Sequence, residues 1–107
     1  MIQYVGGSQY NPDYNTVAAS QTTQKLSNTQ AGGTGAVGDY LAGLIIVPAT
    51  ATPGVVTVFD GATAVLSIPA GTTISSYYLP VGAYSRSGSW NITTGASVSV
   101  VAVGQFT

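Results

Sequence analysis

The chain lacks cysteine and histidine altogether, and its acidic residues are three aspartates with no glutamate. Without cysteine there is no disulfide framework, and the redox compartment leaves no mark on the sequence. Without histidine or cysteine, a Ser-His-Asp or Cys-His nucleophile system cannot be assembled. The usual ligands of zinc, haem and iron–sulfur clusters are missing too. Only five of 107 residues are charged: Lys25, Arg86, Asp13, Asp39 and Asp60. Two cations cannot form the basic footprint that nucleic acid requires, so no nucleic-acid partner is expected. The scarcity of charge is not a sign of disorder, because disordered chains combine high net charge with low hydrophobicity. Here 45% of residues are hydrophobic and the net charge is −1.

Long apolar runs are also missing. The longest, Leu41 to Val47, contains Ala42-Gly43 and falls far short of the ~20 residues of a spanning helix. Met1-Ile2-Gln3-Tyr4 has neither the basic nor the apolar region of a signal peptide, so no membrane partner and no secretory leader are expected.

What is present is β-forming sequence punctuated by turns. Tyr40 to Val47 ends at Pro48 and reads as a strand buried on both faces. Val55 to Phe59 and Ala64 to Ile68 flank Asp60-Gly61, a dipeptide favoured at the centre of a tight hairpin with two positive φ angles. Residues 73–79 form a further strand candidate, ended by Pro80-Val81-Gly82. Ala83 to Arg86 and Ser89 to Thr93 read as a hairpin about Ser87-Gly88, and Val98 to Val103 alternates as a half-buried strand does. Thr16 to Leu26 supplies a weakly patterned first strand. No stretch has helical periodicity. Turn signals every 8–12 residues favour a sandwich or barrel. The expected fold is all-β, an antiparallel two-sheet sandwich, jelly-roll-like, with about eight strands; an immunoglobulin-like sandwich is the other candidate.

Residues 1–35 differ in composition. They carry Tyr4, Tyr10 and Tyr14 among Gly, Ser, Gln, Asn and Thr, and read as an extended N-terminal arm that includes the first strand. The sandwich domain is then expected to cover residues 36–107.

Three motifs invite chemistry. Gly33-Thr34-Gly35-Ala36-Val37-Gly38 spells a dinucleotide fingerprint, but a polar stretch precedes it and an apolar β-run follows, where the mechanism needs a strand and then a helix. The three aspartates are candidates for a carboxylate pair or a calcium site. Each also has a structural role on offer, Asp13 in a turn, Asp39 at a strand start and Asp60 in a hairpin. Asn91-Ile92-Thr93 fits the glycosylation pattern. No catalytic residue, cofactor or metal is expected from these. Trp90 reads as a core anchor or else a sugar-stacking residue. Tyr77 and Tyr78 are adjacent, so in a strand they point to opposite faces and at least one is available to an interface.

A domain with so little charge either solvates itself through Ser, Thr, Asn and Gln or is covered by neighbours. The tyrosines of the arm favour cover, and the interface candidates are Tyr4, Tyr10, Tyr14, Tyr77, Tyr78 and Arg86.

Gly38-Asp39-Tyr40-Leu41, Leu44-Ile45-Ile46-Val47-Pro48, Asp60-Gly61, Ile68-Pro69-Ala70-Gly71, the run Ser87 to Ala96 and Val98-Ser99-Val100 together resemble small structural proteins of tailed bacteriophages, in the capsid cement or decoration class. The resemblance covers about residues 36–106. It implies a non-enzymatic protein on the outer capsid surface of a virion, a homotrimer that clamps adjacent major capsid protein subunits and stabilises the head. The alternative is a tail-fibre, spike or lectin-like module that binds host carbohydrate, with Trp90, Tyr77, Tyr78 and Tyr84 as stacking faces. A secreted adhesin- or pilin-like subunit is a third class, which the missing leader disfavours.

Overall fold

A computed structural model describes residues 13–28, 32–71 and 75–107. Among these residues there are eight strands and no helix. They are β1 (Asp13–Val17), β2 (Gln24–Lys25), β3 (Tyr40–Pro48), β4 (Val56–Asp60), β5 (Thr63–Ile68), β6 (Tyr77–Tyr84), β7 (Trp90–Thr94) and β8 (Val98–Gln105). Two antiparallel sheets of four have the orders β1-β8-β3-β6 and β2-β7-β4-β5. The nested pairs β1·β8, β2·β7, β3·β6 and β4·β5 are the jelly-roll wrap, one long hairpin rolled over itself.

The alternation of residues builds the core. Leu41, Leu44 and Ile46 of β3 and Val98, Val100 and Ala102 of β8 face Val56 and Val58 of β4 and Ile92 of β7, all buried. Val17 and Leu26 are fully buried in the same cluster, and Leu66, Ile68, Leu79, Val81 and Ala83 close it from the outer strands. At about 25 cal/mol per Å² of apolar surface, each such side chain contributes roughly 1.5–3 kcal/mol, and the core forms in a chain that has no cysteine for a disulfide. Trp90 is a core residue, 2% exposed, with its indole Nε1 donating to the Asp39 carbonyl at 2.9 Å.

Several expectations are corrected. The polar segment Asp13–Val17 pairs along its whole length with β8, and Val17 is buried. The sandwich therefore already includes Asp13, and a boundary at residue 36 falls inside the fold. The expected first strand over residues 16–26 is two strands in different sheets. β6 runs straight through Pro80, where a strand end was expected. It lies at the edge of its sheet, where a missing N–H breaks no ladder. The expected hairpin about Ser87-Gly88 does not form, because β6 and β7 belong to different sheets and residues 85–89 cross between them. The β4–β5 turn is centred on Gly61-Ala62 rather than Asp60-Gly61, since Asp60 pairs with Thr63. Only Gly61 has positive φ there (62°), so a single glycine suffices. β3 is buried on one face and half-buried on the other, not buried on both.

Candidate interaction face

Pleating sends alternate residues of the β1-β8-β3-β6 sheet outward. β1 contributes Tyr14 and Thr16. β8 contributes Ser99, Val101, Val103 and Gln105, in register with Ala42-Gly43, Ile45 and Val47 of β3 and ending beside Tyr40. From β6 come Tyr78, Pro80, Gly82 and Tyr84. No residue on this face is charged. Its floor is aliphatic and half-buried, formed by Ile45, Val47, Val101 and Val103. Its margins carry tyrosines: Tyr14 is 72% exposed on one edge strand, and Tyr84 (67%) and Tyr78 (52%) stand on the other.

Local features arrange these rings. A bulge places Ala42 and Gly43 together opposite Val103. Gly43 has no side chain, and the Tyr78 ring lies in the space a Cβ would fill. Tyr40 and Tyr84 are cross-strand partners, with ring centroids 5.0 Å apart and planes tilted by 50°. They border a shallow hollow with Ala42 and Gln105.

The outer face of the other sheet has a different character. Thr57 lies between Thr93 and Ser67, and its hydroxyl is 3.3 Å from that of Ser67. The Thr93 hydroxyl accepts from the Thr23 N–H at 2.9 Å, and Lys25 lies beside Asn91. That face carries Lys25 and hydroxyls that partly bond one another, with Phe59 half-buried among them and Val65 exposed on the edge strand.

The sequence candidates are divided by this geometry. Tyr14 and Tyr78 belong to the uncharged face, although Tyr14 sits in a paired strand rather than in an arm. Tyr77 points the other way, in register with buried Ile46, and lines a small apolar cleft at the end of the sandwich with Pro53, Ile68 and Val98. Arg86 is exposed in the β6–β7 connection, two residues beyond Tyr84 and outside the sheet. Tyr4 and Tyr10 lie outside the described residues. Tyr40 and Tyr84 are the members that pattern reading missed as a pair, because their union depends on the β3–β6 register.

The carboxylates act as loop clamps. Asp60, at the end of β4, accepts from the Arg86 N–H at 2.9 and 3.1 Å and from the Ser87 N–H at 3.0 Å. Burial alone would raise its pKa. The backbone donors of Ser87, Arg86 and Gly88, with the charge of Arg86, outweigh that and hold it below the ordinary 3.8. Asp39 accepts from the Ala36 N–H (3.0 Å), the Thr107 N–H (3.1 Å) and the Thr107 hydroxyl (2.9 Å). Asp13 accepts weakly from the Phe106 N–H at 3.5 Å. Among the described residues, no group of three or more His, Cys, Asp or Glu side chains is gathered as metal ligands.

The glycine-rich loop also serves the fold. The Gly35 N–H donates to the Thr107 carbonyl at 2.7 Å, and a Cβ on Gly33 would collide with that carbonyl group. No helix follows the glycines, so the dinucleotide pattern has none of the geometry that gives it meaning. Asn91 of the glycosylation pattern is buried, its Nδ2 donating to the Gly61 and Ser89 carbonyls, both at 3.1 Å. No known protein family, curated protein or solved structure matches this chain.

Proposed function

We propose that this chain is a non-enzymatic structural protein of a virus particle, of the capsid cement or decoration class, which lies on the outer capsid surface and clamps adjacent major capsid protein subunits. The observation that supports this is the uncharged, tyrosine-edged outer face of the β1-β8-β3-β6 sheet. Free monomers keep such faces charged, and a contiguous apolar face marks a place that another protein covers. Jelly rolls occur in viral shells and in lectins, so the fold alone selects neither. A clamp that binds only the assembled lattice stabilises it by mass action, and many weak copies add through multivalency.

Quantitative mass spectrometry of purified particles tests the proposal. A copy number near that of the main shell protein is expected. A ratio of a few per cent would remove the protein from the lattice and favour the host-binding alternative. The hollow of Tyr40, Ala42, Tyr84 and Gln105 speaks for that alternative, since aromatic faces beside an amide suit a neutral sugar. Trp90, buried in the core, takes no part in it. Glycan-array binding that disappears in Tyr84→Ala would establish it.

A further inference from the structure

We propose that the uncharged face of the β1-β8-β3-β6 sheet is covered by a second copy of this chain, the same face meeting itself about a two-fold axis. The inference rests on the proposed function only in taking this face to be covered by protein. The floor of Ile45, Val47, Val101 and Val103 offers a ligand contact area but almost no hydrogen-bonding groups, so a partner must be apolar there. The face carries no charge, so a charged partner surface would lose its hydration without gaining a counter-charge.

An uncharged apolar counterpart is therefore required, and the chain itself supplies one. The outer face of the opposite sheet also holds Phe59 and the exposed Val65, but it does not qualify, because it presents the charged Lys25 and the hydroxyls of Thr57, Ser67 and Thr93. Among the described residues, the same face on another copy is the surface that matches. A surface that matches itself forms an isologous contact, which closes as a dimer. With a net charge of −1, two copies approach without appreciable long-range repulsion.

The area is consistent with this. The thirty residues of these four strands, at ~3.3 Å each along strands ~4.8 Å apart, span roughly 475 Å² in plan. Two such faces bury on the order of 1,000 Å², the lower bound for a specific interface. An interface of that size suits a reversible dimer rather than a permanent one. The resemblance to decoration proteins implies a trimer, which would need this face to meet a different surface; the two assemblies differ in mass.

The experiment is sedimentation velocity with native mass spectrometry on the full chain, from about 1 to 100 µM. The wild type is expected to pass from monomer to dimer over that range. Val101→Lys, in the middle of the face between Thr16 and Ile45, is expected to raise the dissociation constant at least tenfold. Tyr14→Arg, at a 72% exposed position, repeats the test without threatening the core. Thr57→Lys, on the opposite sheet, is expected to dimerise normally. A wild type that stays monomeric at 100 µM, a trimer, or a Tyr14→Arg and Val101→Lys pair that dimerises like the wild type would overturn the proposal. A monomeric wild type whose attachment to particles is lost in Tyr14→Arg would overturn the dimer and leave the shell reading intact. A dimer absent from particles would do the reverse.

Discussion

Replacing Asp60 with asparagine isolates one interaction. The carboxylate is 9% exposed and receives the Arg86 N–H on both oxygens and the Ser87 N–H on one. Asparagine keeps one acceptor of the same size. It removes the charge and turns an N–H donor toward the Arg86 N–H. Losing a charge-assisted hydrogen bond costs about 1.5–3 kcal/mol, and the opposed donors add to it, so a total near 3 kcal/mol is expected. For 107 residues at ~2.1 cal/mol/K each, the unfolding entropy at the midpoint is roughly 225 cal/mol/K, and 3 kcal/mol becomes a fall in Tm of about 13 °C. The pH dependence gives a second readout. The folded-state pKa of Asp60 is depressed, so its contribution is fully present above its unfolded pKa near 3.8 and is lost as pH falls through the lower folded value. Urea unfolding at pH 7 and at about pH 2.5 should therefore show a larger wild-type advantage at pH 7. Arg86→Ala is the control. It keeps the backbone donors and removes one exposed charge, so it should cost less than about 1 kcal/mol. An Asp60→Asn protein within about 0.5 kcal/mol of wild type at pH 7, or the same advantage at both pH values, would refute the clamp.

Two further outcomes are expected. Asp39→Ala releases both bonds to Thr107 and the one to Ala36, and should cost about 2–4 kcal/mol in urea unfolding, with amide protection lost first around residues 33–39 and 105–107. Gly43→Ala should leave stability within about 1 kcal/mol, because the group that must move is the far end of the exposed Tyr78 ring; NMR of the Tyr78 ring signals should report the displacement, and unchanged signals would contradict the packing described.

The fold was legible where periodicity and turn chemistry agree. Val98 to Val103 alternates cleanly and lies in β8, and the Tyr40 run lies in β3. Reading failed where tertiary position decides. Pro80 ends a central strand but is harmless on an edge, and β6 is an edge only because β3 pairs with β8 on its other side. Asp13–Val17 is polar because half of it faces solvent, so composition assigned it to an arm. The interaction face was half visible. Tyr14 and Tyr78 were singled out as aromatics in an uncharged chain. Joining them with Tyr40, Tyr84, Val101 and Val103 requires the strand order, which no local pattern contains. The clamping role of Asp39 depends on Thr107, 68 residues away, and was equally hidden.

The nested pairing also bears on how fast the chain can fold. The strands nearest in sequence, β4 and β5, close over a two-residue turn, whereas β1 must find β8 from the far end of the chain, Asp13 opposite Gly104. Each layer outward encloses a longer loop, whose closure entropy must be met before its contacts form. Folding should proceed from the Gly61-Ala62 tip outward, with the β1–β8 seam zipped last and slow by the standard of small domains. Opening the tip and linking the start of β1 to the end of β8, where Asp13 pairs with Gly104, would leave the same sheets standing but invert the order in which they can be made.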